Sequence, residues 1–568
     1  MSRRWQPARP GVRRLGTASI SPIVTALALP LFAILAANHR GIVDDAFITF
    51  RYAQHWVETG RLTWHIGLPM VDGYTSLAHV MLIALGIRLG FDPITFNSCL
   101  NLVCVLGILA IHFLLCRLFH VESWGRIVGL YLIVMNSGLA FWVSGGLDGL
   151  LWSLGVATVY LCFEASLARE RLTGPLAWSM LALVLIRPEG TFIVIGLLLY
   201  LLAYLRRIGR LGWFELAPWL GLVMAGIMAL YVWRLVTYGH LFPNAFYAKA
   251  AASQWIKLGT GSRYLWLWFA FYGGVLGLSI FINLRKSLFA NTRAYFVLGY
   301  LALVALEGGD PQQQMRFLLP LVPLLALQVG CVWKDGTFDS RVLVSVIAVI
   351  YAVQQFNGKE PWHNVWPLNG STRVEEFVSG DNPLRAVVAG VGAICAGEWP
   401  LRGTNYEQWN ARAARHLAQL LSDDVSLAAT DVGALAYYSK LPVLDVQGLN
   451  HKAIAHMAKP PGFANVWGVE HWGVVLDADV DVIILGFLQY SNIKLTDERI
   501  GKLTEEQWVE LFTRRLEYPF DRIAEKYVCG SVPDRDQGRR YLNFMISRKR
   551  IDRVWRSQPS AASIGECL

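Results

Sequence analysis

The chain has 568 residues, of which 54% are hydrophobic and 16% charged, and its formal net charge is +10. A soluble globular protein carries about 25% charged residues, so this composition excludes an ordinary soluble protein and predicts a polytopic membrane protein. The positive charge does not indicate a nucleic-acid partner, because the basic residues precede the first apolar segment and occupy the short loops between later ones. Cytoplasmic loops carry such an excess of Lys and Arg, so the charge predicts membrane orientation.

Apolar segments that approach or exceed the roughly 18 residues of a membrane span recur along the chain. We predict about 11 transmembrane helices and a cytoplasmic N-terminus. A further apolar segment, 74–90, could span the membrane or lie in its interface. Only the interfacial placement keeps every basic loop in the cytoplasm, so we predict an interfacial helix there. The predicted spans lie near 19–38, 97–117, 126–143, 149–168, 174–187, 190–205, 213–235, 264–284, 293–307, 316–333 and 341–356.

With this topology, almost every unusual polar cluster of the membrane half falls on the outer face. Acids, bases, amides and aromatic residues on one face predict a site at the outer membrane boundary. The five clusters are the Asp-Asp loop at 39–96, SGGLDG at 144–149, RPEG at 187–190, YGHLFPNAFYAK at 238–249 and EGGDPQQQMRF at 307–317.

Asp44 and Asp45 begin a predicted helix just after the first span. A carboxylate beside a like charge, partly removed from water, has a raised pKa that suits a general base. The structural alternative is helix capping, for which one acid is enough. Asp148 follows two glycines and precedes a span, so it could also cap a helix. Alternatively, it could share a polar acceptor or a metal with the Asp pair.

Several cations accompany these acids. Arg187 and Glu189 lie between two predicted spans, and could serve a substrate or form an internal ion pair. Lys249 ends an outer loop, and Arg316 begins a span on the outer face, against the charge bias. Lys and Arg at this depth suit an anionic head group, which Arg can bind through two parallel hydrogen bonds. The alternative is that these side chains reach out to ordinary lipid phosphates.

The tail, 357–568, predicts one α/β domain. NYEQWNARAARHLAQLLSDD has helical periodicity, and VSLAATDVGALAYYSKLPVLDVQGLN predicts a strand, a turn with a short helix, a strand and a loop. DVDVIILGF predicts a buried strand. We therefore divide the chain into a transmembrane domain, 1–356, with an outer catalytic loop, 39–96, and the tail domain. The sequence contains no metal-ligand spacing and no Gly-rich phosphate loop.

These motifs resemble a family of GT-C fold glycosyltransferases, whose best-known members are mycobacterial enzymes that add terminal β-arabinofuranose from decaprenyl-phosphoryl arabinose. DDAFITFRYAQHWVETGRLTWHIGLPMVDGYTS resembles the opening signature, with Asp72 in place of the family's Glu. SGGLDG is similar to its S-G-L-E-T, with Asp148 at the Glu and an extra Gly. RPEG matches the corresponding motif of the family. The resemblance continues through YGHLFPNAFYAK, EGGDPQQQMRFLLP and TDVGALAYYSKLPVLDVQGLN.

The resemblance implies a GT-C core whose outer first loop carries the catalytic Asp. It also implies a polyprenyl-phosphate sugar donor, with arabinofuranose favoured, and an inverting single displacement onto a periplasmic glycan acceptor. Asp44 would be the general base, Asp45 its partner, and Asp148 would orient donor or acceptor. Substrate-binding residues would be Tyr74, Arg187, Glu189, Asn244, Tyr247, Lys249, Asp310 and Arg316.

The charge-based topology puts the tail domain outside the membrane. Together with the resemblance, it predicts a multi-pass protein in the bilayer of a bacterial cytoplasmic membrane, with its tail domain in the periplasm. No cofactor is assigned, and a divalent cation is an open alternative. Two other functions are alternatives. A transporter or flippase for lipid-linked glycans should show mid-bilayer polar residues and broken helices with repeat symmetry, whereas this sequence has its polar residues at one face and no repeat. A non-catalytic envelope assembly protein would have no need for both Asp44 and Asp45.

Overall fold

The structure, a computed structural model, contains a helical half and a smaller α/β tail. The tail is joined to the helical half by contacts between residues far apart in sequence. The described residues are 22–39, 41–66, 69–210, 212–250, 254–269, 292–310, 312, 314–335, 341–342, 406–457, 469–484, 525–533 and 541–556.

Helices make up the first half of the described chain, and a 3₁₀ turn at Arg316–Leu321 leads into the last of them. The helices are α1 (Pro22–Asn38), α2 (Asp44–Thr59), α3 (Leu77–Arg88), α4 (Pro93–Leu118), α5 (Ser123–Val134), α6 (Ser137–Ser144), α7 (Gly149–Ala168), α8 (Gly174–Ile186), α9 (Gly190–Arg207), α10 (Trp213–Tyr238), α11 (Asn244–Ala250), α12 (Gln254–Leu267), α13 (Thr292–Glu307) and α14 (Val322–Asp335).

Five helical segments in the described part are long and apolar enough to cross a membrane: α4, α7, α9, α10 and Arg316–Trp333. Helices α5 and α6 pass the same test together but are bent by 47°, which would give a sixth span. Helix α3, with 12 residues, is shorter than these segments, and the interfacial placement of 74–90 stays a prediction. The predicted spans at 264–284 and 341–356 lie largely outside the described residues, so the total of about 11 stays a prediction.

Local sequence signals set the helix ends near the site. Helix α2 begins with two acids, which favour a helix N-terminus, and ends at Gly60 with a φ of 71°. The α6–α7 turn contains Gly146 with a φ of 88°. A Cβ at Gly146 would lie 2.3 Å from the Ala46 side chain. Glycine at this position therefore lets the start of α7 approach α2 closely.

The tail contains a five-stranded sheet with the order β2-β1-β3-β5-β4. Strand β1 pairs in parallel with β2 and β3, while β5 pairs antiparallel with β3 and β4. The predicted strand, short helix and strand are confirmed, whereas the predicted boundary after residue 356 lies outside the described residues. The tail elements are α15 (Tyr406–Leu420), β1 (Leu427–Ala429), α16 (Gly433–Ser439), β2 (Val443–Asp445), α17 (Lys452–His456), α18 (Val469–Asp477), β3 (Val482–Ile484), β4 (Tyr527–Pro533) and β5 (Tyr541–Ser547).

Candidate active site

A small polar cavity of about 60 Å³ lies where the start of α2, the loop before α3 and the turns before α7 and α9 meet. Each of the five polar clusters seen in the sequence contributes to its wall, the YGHLFPNAFYAK cluster only through Ala245. The predicted site residues that line it are Asp45, Tyr74, Asp148, Arg187 and Arg316.

Two buried arginines, Arg187 and Arg316, line this cavity, and three acids pair with them. The Arg187 Nη2 donates to Glu189 at 2.7 Å, and the Arg316 Nε donates to Asp310 at 2.8 Å. Asp148 lies between the arginines, 3.4 Å from the Arg187 Nη1 and 4.0 Å from the Arg316 Nη1. Burial opposes ionisation of Asp148, but the two guanidinium groups prevail and hold the pKa of its carboxyl below the ordinary value.

Aromatic rings fix both guanidinium groups. The Arg187 guanidinium lies 4.7 Å from the centre of the Phe317 ring, and the Arg316 guanidinium lies 5.3 Å from the same centre. Trp152 and Trp142 add a second ring to Arg187 and Arg316, respectively. Rings and carboxylates thus hold two cations side by side, as recognition of a planar or tetrahedral anion requires.

The two adjacent aspartates at the start of α2 have different surroundings. Asp45 lines the small cavity and accepts a hydrogen bond from the Gln312 Nε2 at 2.9 Å. Asp44 points to the tail, where its carboxylate accepts from the backbone N–H of Gly433 at 2.7 Å and of Ala434 at 2.9 Å. Asp45 is therefore the member of the pair that a molecule in the cavity can reach.

A larger apolar cavity of about 610 Å³ adjoins the polar one. It lies among α9, α12 and α13, and its apolar wall includes Phe192, Leu197, Phe296 and Leu303. Thr75, Arg187 and Ala245 line both cavities. Arg187 therefore lies at the junction between a large apolar cavity and a small polar one.

Other predicted binding residues lie elsewhere. The Asn244 Nδ2 donates to the tail carbonyls of Gly448 and Leu449, at 2.7 and 2.9 Å. The Tyr247 ring stacks on His456 of α17, with 4.4 Å between ring centres. Neither Asn244 nor Tyr247 lines either cavity. The side chain of Lys249 lies outside the described residues.

Asp72 belongs to an internal network. Its buried carboxylate accepts from the Arg234 Nη1 and the His240 Nε2, both at 2.8 Å, and from the backbone N–H of Asn244 at 3.2 Å. Asp72 does not line either cavity. The network ties the loop between α2 and α3 to the end of α10.

We expect Asp72→Asn to destabilise the fold, because the buried Arg234 guanidinium would lose its carboxylate. Breaking one half of a buried pair costs about 3–5 kcal/mol. Denaturant unfolding of the purified protein in detergent measures this loss. Asp423→Asn is the control, since Asp423 is 85% exposed in its pair with Arg556, and its unfolding midpoint should not move. Equal midpoints for Asp72→Asn and the unaltered protein would contradict the structural role.

Several residues that line the polar cavity were not predicted as site residues. They include Thr49, His79 and, from the tail, Leu449. The DVQGLN motif was noted, but no local pattern reveals that this loop reaches a cavity formed by the helical half. As for the open metal alternative, the described residues contain no group of three or more His, Cys, Asp or Glu that could hold a metal ion.

Comparison with known proteins adds the following findings. Residues 400–529 match a family described as a domain of unknown function, DUF8728. No curated protein matches the chain. Among solved structures, ArnT from Cupriavidus metallidurans in the apo state is similar over 74% of this chain and 84% of that chain, with 14% identity and a TM-score of 0.44.

ArnT from Cupriavidus metallidurans bound to undecaprenyl phosphate gives 12% identity, a TM-score of 0.45 and coverage of 74% of this chain and 85% of that chain. The oligosaccharyltransferase AglB from Archaeoglobus fulgidus, with an inhibitory peptide and a dolichol-phosphate, gives 11% identity, a TM-score of 0.42 and coverage of 94% and 75%. These likenesses are too loose to assign chemistry, which has to come from the site itself.

Proposed function

We propose that the protein is an integral membrane glycosyltransferase that moves a sugar from a polyprenyl-phosphate donor to a glycan of the cell envelope. One observation carries this proposal: a large apolar cavity and a small polar cavity meet at Arg187. A lipid-linked sugar phosphate has the same sequence of parts, namely an apolar chain, an anionic link and a polar sugar. The motif resemblance supports the same class of substrate.

In this proposal, the apolar cavity holds the start of the lipid chain and Arg187 binds the phosphate. The Arg187 Nη1 lies 3.4 Å from Asp148, a long contact that leaves donor capacity for another anion. Arg316, on the opposite side of Asp148, adds a second cation. Two fixed cations also stabilise the negative charge that grows on the phosphate as it leaves.

We assign the general base to Asp45 rather than Asp44. Asp45 faces the cavity, whereas the Asp44 carboxylate already accepts two backbone hydrogen bonds from the tail. Gln312 donates to one Asp45 oxygen and orients the carboxylate. This reverses the two roles expected from the family resemblance while keeping the base within the same Asp-Asp motif.

The proposed reaction is a single displacement with inversion at the anomeric carbon. Asp45 takes the proton of the acceptor hydroxyl as its oxygen forms a bond to that carbon. The bond between the carbon and the phosphate oxygen breaks, and the electron pair leaves with the phosphate. Polyprenyl phosphate, the glycosylated acceptor and a protonated Asp45 result. Because the leaving phosphate is a stable anion, no strong general acid is needed.

Arabinofuranose is the proposed sugar, on the motif resemblance, and the proposed setting is the periplasmic face of a bacterial cytoplasmic membrane. The test is transfer by the purified protein from polyprenyl-phosphoryl arabinose to an envelope glycan, with other polyprenyl sugars in parallel. A preference for another sugar would correct the proposed identity of the donor sugar. Absence of transfer from every polyprenyl sugar, with the folded protein confirmed by its unfolding transition, would contradict the proposed class.

The apolar cavity gives a further prediction. Gly299 lines it, and a Cβ there would meet open space, so Gly299→Phe should place a ring in the cavity without disturbing the helix. We expect KM for a long-chain polyprenyl donor to rise, and KM for a donor with a short chain to change less. Gly221→Phe is the control, because Gly221 also faces open space but does not line this cavity. Unchanged KM values in Gly299→Phe would argue against the lipid position.

A further inference from the structure

Helix α2 turns one face to the small polar cavity and another face to the tail. Asp45, Ile48 and Thr49 line the small polar cavity. Asp44, Phe47 and Arg51 instead contact the tail. These two sets follow the spacing of helix turns, since residues three, four or seven apart share one face. The contacts that hold the tail-facing side of α2 therefore fix the orientation of the helix, and with it the direction in which the Asp45 side chain points.

The tail-facing side of α2 holds the short tail helix α16 at both ends. At the start of α16, Asp44 accepts from the N–H groups of Gly433 and Ala434. At its other end, Arg51 donates to the carbonyls of Ala436 and Leu441. A negative group at the N-terminus and a positive group at the C-terminus both match the helix dipole.

Aromatic contacts fill the space between these two polar ends. The Phe47 ring centre lies 5.3 Å from the ring centres of both Tyr437 and Tyr438. A Cβ at Gly433 would collide with the Asp44 backbone carbonyl. The two helices therefore approach to a distance that only glycine allows, and the contact has one well-defined geometry.

Arg51 is a buried cation whose guanidinium forms hydrogen bonds with neutral groups. It is 4% exposed and donates to backbone carbonyls, including Trp64 O at 2.9 Å, with the His65 Nδ1 beside it. Burial lowers the pKa of its guanidinium to about 10. Burying a cation among neutral acceptors is unfavourable, so Arg51 is placed here for what its hydrogen bonds hold together.

We propose that α16 acts as a clamp on the catalytic helix: Asp44 and Arg51 are positioning residues through which the tail domain fixes Asp45 against the cavity. The proposal rests on the assignment of Asp45 as base. It gives the tail a part in the reaction that its sheet alone does not suggest. It also accounts for the paired aspartates, since each one has a different task.

The first test measures the clamp without measuring activity. Hydrogen–deuterium exchange of the full-length protein in detergent should show the amides at the start of α16 exchanging about tenfold faster in Asp44→Asn, which loses a charge-assisted acceptor. Gly433→Ala should have the same effect while leaving both aspartates in place. Gly473→Ala, in α18, meets open space and should leave exchange unchanged. If the amides of α16 are equally protected from exchange in all of these variants, the proposed clamp is wrong.

The second test links the clamp to catalysis. In Asp44→Asn and Gly433→Ala we expect kcat to fall and KM for the donor to stay constant, because the lipid cavity is not altered. Arg51→Met should behave in the same way, and Arg51→Lys should recover part of kcat. Unchanged kcat with faster α16 exchange would show a clamp with no influence on the base, and would overturn the positioning role.

Different results would contradict the proposed glycosyltransferase function and the proposed positioning role. If the class of reaction is wrong, none of the variants will show transfer, yet the exchange of α16 will still respond to Asp44→Asn and Gly433→Ala. If only the positioning role is wrong, transfer will continue at the normal kcat in Gly433→Ala. Asp45→Asn separates them further, since it should stop transfer and leave the exchange of α16 unchanged.

Discussion

Asp45→Asn is expected to lower kcat for sugar transfer by about 10²- to 10⁴-fold, the usual contribution of a general base. Asparagine keeps the size of the side chain and can still pair with Gln312, but its amide cannot take a proton. The cations that would bind the donor phosphate are untouched, so binding of polyprenyl phosphate should persist. Radiolabelled transfer gives kcat, and a separate binding measurement with polyprenyl phosphate gives the affinity.

Two comparisons sharpen this result. Glu58→Gln removes an acid from the exposed far end of α2 and should retain full activity. Asp44→Asn should lose less activity than Asp45→Asn, because Asp44 acts only through the position of the helix. If Asp44→Asn removes all transfer and Asp45→Asn removes none, the roles implied by the family resemblance are restored and our assignment is wrong.

The sequence could locate the acids but could not distinguish them. Neighbouring residues on a helix point in directions about 100° apart, so Asp44 and Asp45 must face different surroundings. Which one faces the cavity depends on the tail, and the partners of Asp44 are 389 and 390 residues away. No local pattern encodes such a contact, so the motif alone supported either order.

Elements governed by local rules were predicted well. The apolar segment predicted at 149–168 is a helix with those bounds, because its length, its apolar composition and the turn before it all agree. The strand, short helix and strand of the tail follow period-two and turn signals of the same kind. Asn244 and Tyr247 show the limit of motif reasoning, since both lie in a polar cluster yet contact tail residues. A polar side chain in a motif can serve domain packing as well as a substrate.

Arg187 gives the second large expected effect. Arg187→Lys keeps one positive charge in place but loses the planar fork that binds a phosphate through two hydrogen bonds. Hydrogen bonds to charged groups contribute about 1.5–3 kcal/mol, so KM for the donor should rise roughly 10- to 100-fold. Arg187→Met would leave Glu189 without its cation and Asp148 with Arg316 alone, at about 3–5 kcal/mol of folding stability, and is therefore a poorer test.

Arg234→Lys is the matched control for Arg187→Lys. Arg234 is as deeply buried and is paired with one carboxylate, Asp72, but it lines neither cavity. Both lysine variants weaken a buried pair, so both should lower the unfolding midpoint by similar amounts. Only Arg187→Lys should raise KM for the donor, because only Arg187 stands where the apolar and polar cavities meet. A rise of the same size in both variants would mean that loosened packing, rather than lost phosphate contact, controls donor binding, and the junction would then lose its role as the phosphate site.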